Sequence, residues 1–348
     1  MSGPVRAVVF AGDGSYALER FPMPDPPPGG AVLAVEAVGL CASDIAQLHG
    51  HKHVPGEASP VVPGHEIVGR VHSLAPDADL GVDVGQRVGV NLVVFHGGLT
   101  VYGYTEPLDQ RSGLYGGYGE YMEIVAGTHL EPLPDDVDPA ELSLFEPLAS
   151  AISWIDQLHI SAGDTVLIQG PGHMGLICLA VARARGAGTC IVTGTGADAM
   201  RLEAARALGA DHTIDVDAED PVARIAEVTE GRMCQAVIDL ADGATSTVQL
   251  AIDAAAGGGR ILLAGLKQGA SASIVSDEIV FKSLTITGGS GSTPDSMRSA
   301  GAMLRDKLLP TADLLGEVFD LDTLDEALAT LQRLDGRDAI RVSLRHRH

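Results

Sequence analysis

Residues 170–175, Gly-Pro-Gly-His-Met-Gly, constrain this chain more than any other stretch. They follow an apolar, β-branched run, Thr165–Gln169, and open a segment whose apolar residues recur at helical spacing up to residue 185. Each glycine of a GxGxxG turn in that position has a physical purpose. The first permits the tight turn, the second lets the backbone approach a pyrophosphate, and the third lets the helix pack on the strand. The helix N-terminus adds N–H donors and partial positive charge. Glycine-rich turns are common, so context decides. Short strand-like runs at 190–193, 212–215, 236–240, 260–264 and 284–287 alternate with helical patterns at 199–208, 222–229 and 245–256. That rhythm predicts βαβ units around a doubly wound parallel sheet over residues 151–288. Gly170, Gly172, His173, Met174 and Gly175 are therefore expected to face a dinucleotide.

An acid about 20 residues beyond the loop would accept hydrogen bonds from the ribose of NAD. Here Gly194 stands in that place, between Thr193 and Thr195. A carboxylate would repel a 2′-phosphate, whereas glycine leaves room for one. Arg201 either supplies the matching charge or is a solvated charge on a helix face. Thr193, Gly194, Thr195 and Arg201 are thus candidate coenzyme contacts, and the choice between NAD and NADP tilts slightly to NADP.

Residues 1–150 have a different rhythm. Short β-branched runs at 7–10, 31–38, 66–72, 87–94 and 119–125 alternate with Gly/Pro turns, which predicts a β-rich, barrel-like unit. Residues 97–119, rich in Gly and Tyr, read as a long loop. Three short stretches in this region carry chemistry: Cys41 in GLCASD, His65 and Glu66 in PGHE, and Glu146 in FEPLA. One thiolate, one imidazole and a carboxylate with an open fourth position match a catalytic zinc rather than a structural one. Spacing alone does not join them. The four cysteines, at 41, 178, 190 and 234, contain no CxxC pair and are too dispersed for a disulfide framework.

In combination, GLCASD at 39–44, PGHE at 63–66, GGYGEY at 116–121, FEPLA at 145–149, GPGHMG at 170–175 and RLEAARALGAD at 201–211 resemble the zinc-dependent medium-chain dehydrogenase/reductases of the alcohol dehydrogenase superfamily. The polyol and threonine dehydrogenase branch is the most similar. The resemblance spans nearly the whole chain, in the family's order. It implies an α/β fold in which a Rossmann domain, 151–288, joins a GroES-like catalytic domain made of 1–150 and 289–348. It implies zinc held by Cys41 and His65, with Glu66 and Glu146 as carboxylates that alternate as ligand. Ser43 falls on the hydroxyl that contacts the substrate oxygen and passes its proton on, and Asp44 on a carboxylate behind the metal. One catalytic zinc per chain is expected and no structural zinc, because residues 91–120 contain no cysteine. Ala46 stands where several relatives carry a relay histidine, which leaves coenzyme hydroxyls, water or a side chain such as His49.

The implied reaction is reversible oxidation of a secondary alcohol (a polyol, an inositol-like ring or an amino-alcohol) to a ketone with NAD(P). Two alternatives are a metal-free NADPH-dependent reductase of activated double bonds and a non-catalytic NAD(P)-binding protein. A homodimer or homotetramer, joined through the apolar strand at 284–287, is expected. The balance of 46 acidic against 23 basic residues, a net charge of −23, argues against nucleic-acid and membrane partners. No apolar run approaches the roughly 18 residues needed to span a bilayer, and the N-terminus lacks a signal-peptide pattern, so the expected location is cytoplasmic. His49, His51 and His53 read as a polar loop, and His346 and His348 as an exposed tail.

Overall fold

The near-unbroken apolar sequence Ala31–Leu40 forms the longest strand of the fold, here β1, and its register sets up the chemistry described below. The structure is a computed structural model and describes residues 4–52 and 54–347; the expectations for His53 and His348 fall outside these. The chain divides into two compact units. One holds the residues up to Glu146 with Met297–Lys307 and Thr311 onward. The other holds Pro147–Ser296 and Leu308–Pro310. No helix is long and apolar enough to cross a membrane among the described residues.

In the first unit β1 pairs antiparallel with β2 (Glu66–Leu74), Gly39 opposite Glu66. On its other edge it pairs with the C-terminal strand Val342–Arg345, Val342 opposite Leu40. Tyr121–Ile124 also pairs with β1, and Arg87–Val90 and Leu130–Pro132 continue beyond β2. Leu33, Val38, Ile67, Val88 and Ile124 are completely buried between these strands. Burial of this kind, at about 25 cal/mol per Å² of apolar surface, holds the curved sheet together.

The Gly/Tyr-rich stretch is less of a surface loop than its sequence suggests. After the hairpin Val93–Phe95/Leu99–Val101, Tyr102, Tyr115 and Tyr118 are among the largest fully buried side chains of the protein. Their hydroxyls are satisfied inside: Tyr102 pairs with Thr128 at 2.7 Å and accepts from the Val125 N–H at 2.8 Å, and Tyr118 donates to Asp44 at 3.2 Å. Large aromatic surfaces with satisfied polar tips organise the segment from within. His346 also departs from expectation. It is buried, its Nε2 lies 2.8 Å from the Gly117 carbonyl, and its N–H donates to the Glu36 carbonyl at 3.0 Å. Pairing of the last strand with β1 carries the chain past Arg345 into the fold.

The second unit is a six-stranded parallel sheet. Its strands are β3 (Thr165–Gln169), β4 (Thr189–Gly194), β5 (His212–Asp215), β6 (Cys234–Asp239), β7 (Ala255–Leu263) and β8 (Thr285–Gly288), in the spatial order β5-β4-β3-β6-β7-β8. Counted within the unit this is the 3-2-1-4-5-6 order of a Rossmann sheet, with the reversal between β3 and β6. Cys178, Cys190 and Cys234 are buried here, and burial pushes the thiols of Cys190 and Cys234 up to about 11 and about 12. They are structural thiols.

Candidate active site

The register of β1 explains how residues far apart in sequence meet. Because Gly39 faces Glu66 and Leu40 faces Val342, the ends of three strands bring Cys41, His65, Glu66 and Arg341 to one edge of the sheet. Cys41 is the N-cap of α1 (Ala42–Leu48), and its N–H donates to Asp44 Oδ2 at 2.8 Å. One ligand atom from each of Cys41, His65 and Glu66 lies within 4.8 Å of the other two. This mutual grouping does not extend to Glu146, which is buried in the first turn of α2 (Phe145–Gln157).

Asp44 is completely buried, and its Oδ1 lies 3.3 Å from His65 Nδ1. Burial opposes protonation of His65, but its neighbours Tyr104, Asp44 and Cys41 outweigh that and raise its pKa well above the ordinary value. Cys41, His65 and Glu66 each offer a ligand atom to one point, and a divalent cation there would be shared by all three. A thiolate sulfur, an imidazole nitrogen and a carboxylate oxygen form a zinc-type donor set, so the residues present fit the metal.

Arg341 was not anticipated from the sequence. Its guanidinium is completely buried and pairs with Glu66 Oε2; Nη2 also donates to the Ser143 carbonyl at 2.8 Å. Gly39 makes the pair possible, since a Cβ there would lie 2.0 Å from both Arg341 Nη2 and Glu66 Oε2. Ser43 is half-buried on α1, and Tyr104 Oη lies 2.9 Å from its Oγ and 3.2 Å from His65 Nδ1. His49, at the exposed C-cap of α1, is about 9 Å of helical rise from Ser43. Glu120 accepts from Arg6 Nε at 2.8 Å, and Arg111 donates to Tyr115 at 3.2 Å.

The second unit presents the glycine loop between β3 and α3 (His173–Ala184). Gly170 has φ +98°, and a Cβ on Gly175 would lie 2.0 Å from the Gly170 carbonyl oxygen. A Cβ on Gly172 would meet nothing within 4 Å, which leaves the space a pyrophosphate needs. Two substitutions are therefore expected to differ sharply. Gly175→Ala will destabilise the unit as read by thermal melting. Gly172→Ala will keep the melting temperature and weaken NADH binding as read by fluorescence titration. His173 and Met174 follow in the first turn of α3, half-buried.

A cavity of about 470 Å³ opens beside this loop, lined by Gly170, Thr193, Gly194, Thr195, Asp198 and Asp217 among others. Asp198 accepts from the Thr195 N–H at 3.0 Å, and Asp217 from the Gly196 N–H at 3.0 Å. Arg201 faces Asp198 at 3.8 Å. The charge expected to meet a 2′-phosphate is thus opposed by a neighbouring carboxylate.

Comparison with known proteins agrees with both halves. Residues 27–135 match the alcohol dehydrogenase GroES-like domain, and residues 174–306 the zinc-binding dehydrogenase domain. A "Probable alcohol dehydrogenase adh" of Mycobacterium tuberculosis H37Rv is 32% identical over 94% of each chain. A sorbitol dehydrogenase of Halalkalibacterium halodurans is 29% identical over 96% of each. An Escherichia coli CFT073 alcohol dehydrogenase solved with NADH superposes at TM-score 0.86 and 24% identity, over 99% of this chain and 100% of that one. The chain belongs to the zinc-type medium-chain dehydrogenase/reductases of the alcohol dehydrogenase superfamily and is an NAD(P)-dependent alcohol oxidoreductase.

Proposed function

We propose that this enzyme reversibly oxidises a secondary alcohol of the polyol, inositol-like or amino-alcohol class to the ketone, using one catalytic zinc ion per chain. The grouping of Cys41, His65 and Glu66 within 4.8 Å carries the reading, and Glu146 is the further carboxylate that would approach the metal. When bound, zinc supplies Lewis acidity that makes a substrate hydroxyl far easier to deprotonate. Ser43 exchanges the proton at Oγ: on oxidation its own hydroxyl proton passes to water as the substrate's takes its place, so that Oγ again presents a proton to the substrate oxygen. Asp44, fixed by the Cys41 N–H and the Tyr118 hydroxyl, holds His65 through Nδ1 so that Nε2 remains the ligating nitrogen. Gly170–Gly175 would hold the pyrophosphate of a nicotinamide coenzyme, which would supply the hydride acceptor. A screen of polyols, amino-alcohols and simple secondary alcohols, followed at the nicotinamide absorbance band, tests the substrate class. Turnover confined to simple alcohols would contradict it, and turnover of activated double bonds without metal would favour the metal-free reductase.

Asp198 and Asp217 bordering the cavity turn the coenzyme reading from NADP to NAD. A 2′-phosphate would sit against carboxylates, and like-charge juxtaposition costs several kcal/mol. We expect kcat/KM with NAD to exceed that with NADP by at least about tenfold; an equal or reversed ratio would contradict the assignment.

Self-association is proposed through the edge of the Rossmann sheet. Strand β8 pairs only with β7 among the described residues. The helix leading into it, Ser276–Lys282, exposes Val280 and Phe281, the latter 83% accessible. Open edges with flanking apolar side chains are natural pairing templates. Phe281→Asp is expected to convert the assembly to monomers by light scattering, and an unchanged mass would contradict this interface.

A further inference from the structure

We propose that Tyr104 is a positioning residue that fixes the direction of the Ser43 hydroxyl, holding its proton towards the substrate oxygen; the inference rests on the reading of Ser43 given above. Tyr104 is buried, with its ring tilted against that of His65 at a centroid distance of 5.2 Å. Its Oη lies between two groups, Ser43 Oγ at 2.9 Å and His65 Nδ1 at 3.2 Å.

Donor and acceptor accounting fixes the rest. Nδ1 faces both Asp44 Oδ1 and Tyr104 Oη, so the nitrogen left for a metal is Nε2. A ligating nitrogen carries no proton, which places the proton of the neutral ring on Nδ1 as a donor. Tyr104 Oη thus faces a donor on the His65 side, and its own proton goes to Ser43 Oγ. Ser43 accepts there and cannot donate back along the same line. Its proton turns away from the buried tyrosine, to the half-buried side where an alcohol oxygen can reach it.

The nearby helix offers no substitute. Ala46, one turn beyond Ser43, has no hydrogen-bonding side chain, and His49 lies at the far, exposed end of α1. Tyr104 comes instead from the segment after the hairpin Val93–Phe95/Leu99–Val101, buried alongside Tyr102, Tyr115 and Tyr118. Being enclosed, it does not carry protons to solvent; it acts through Ser43.

The test is a double-mutant cycle of Tyr104→Phe and Ser43→Ala in the zinc-loaded full-length enzyme, with the fastest alcohol of the screen. Zinc content and NADH affinity are measured on every variant. Tyr104→Phe is expected to lower kcat about tenfold, the scale of one lost neutral hydrogen bond, with KM, zinc content and NADH affinity unchanged. In the Ser43→Ala background the same change is expected to cost nothing further, because the group it orients is gone. An equal loss in both backgrounds, or a loss of zinc in step with kcat, would overturn the proposal by showing that Tyr104 acts elsewhere. Unchanged kcat in Tyr104→Phe, with Ser43→Ala impaired, would overturn the proposal and leave the role of Ser43 standing. Full activity of Ser43→Ala would overturn both.

Discussion

Cys41→Ala will lose bound zinc and turnover together, with kcat falling at least about a thousandfold. The magnitude follows from the several kcal/mol that a Lewis-acidic metal contributes to charge stabilisation, at about 1.4 kcal/mol per factor of ten. Cys41 is the one cysteine outside the buried set; the other three lie within the Rossmann unit. None of them is placed to replace it. The variant should still fold, because the N-cap contact of Cys41 that holds α1 most directly is its backbone N–H to Asp44, which alanine retains. Thermal melting, zinc content and activity on the same preparation separate the outcomes. A variant with unchanged activity would remove Cys41 from the mechanism.

The second large effect is expected at Arg341. Its pair with Glu66 is completely enclosed, with side-chain exposures of 0% and 2%. Removing one partner of a buried ion pair strands the other charge, at a cost of about 3–5 kcal/mol. Arg341→Met is therefore expected to lower the melting temperature by about 10 °C in metal-free protein, taking about 2–4 °C per kcal/mol for a unit of this size. Zinc loading should recover part of the loss, since a cation beside Glu66 replaces the missing positive charge. Adding Glu66→Gln to Arg341→Met should recover stability without metal, because no stranded charge remains. Equal melting temperatures of wild type and Arg341→Met in chelator would contradict this account of Glu66.

These two residues also show what a sequence can and cannot disclose. Cys41, His65 and Glu66 were legible as one group only because their short motifs together resemble those of a known family, since spacing alone does not join them. The glycine loop was legible because its spacing lies between a strand and a helix. Arg341 was not, since it lies 275 positions from Glu66 and meets it only through the two registers of β1. Tyr104 was hidden for a related reason. A Gly/Tyr-rich stretch without a period reads as a loop, and nothing local shows that four of its tyrosines are buried. The helix Ser276–Lys282 gave no signal because Val280 and Phe281 face outward and only Ile279 packs on the core, so it lacks a core-facing stripe. The coenzyme reading shifted for a similar reason. Gly194 stands at the expected position of the acid, but Asp217 arrives from beyond β5, the strand paired with β4.

The account depends most on the catalytic metal at Cys41, His65 and Glu66. The direct measurement is metal analysis of the purified wild-type enzyme, with activity followed through chelation and zinc restoration. One zinc per chain is predicted, with activity lost on its removal and regained on its return. Full dehydrogenase activity in protein without stoichiometric metal would contradict it.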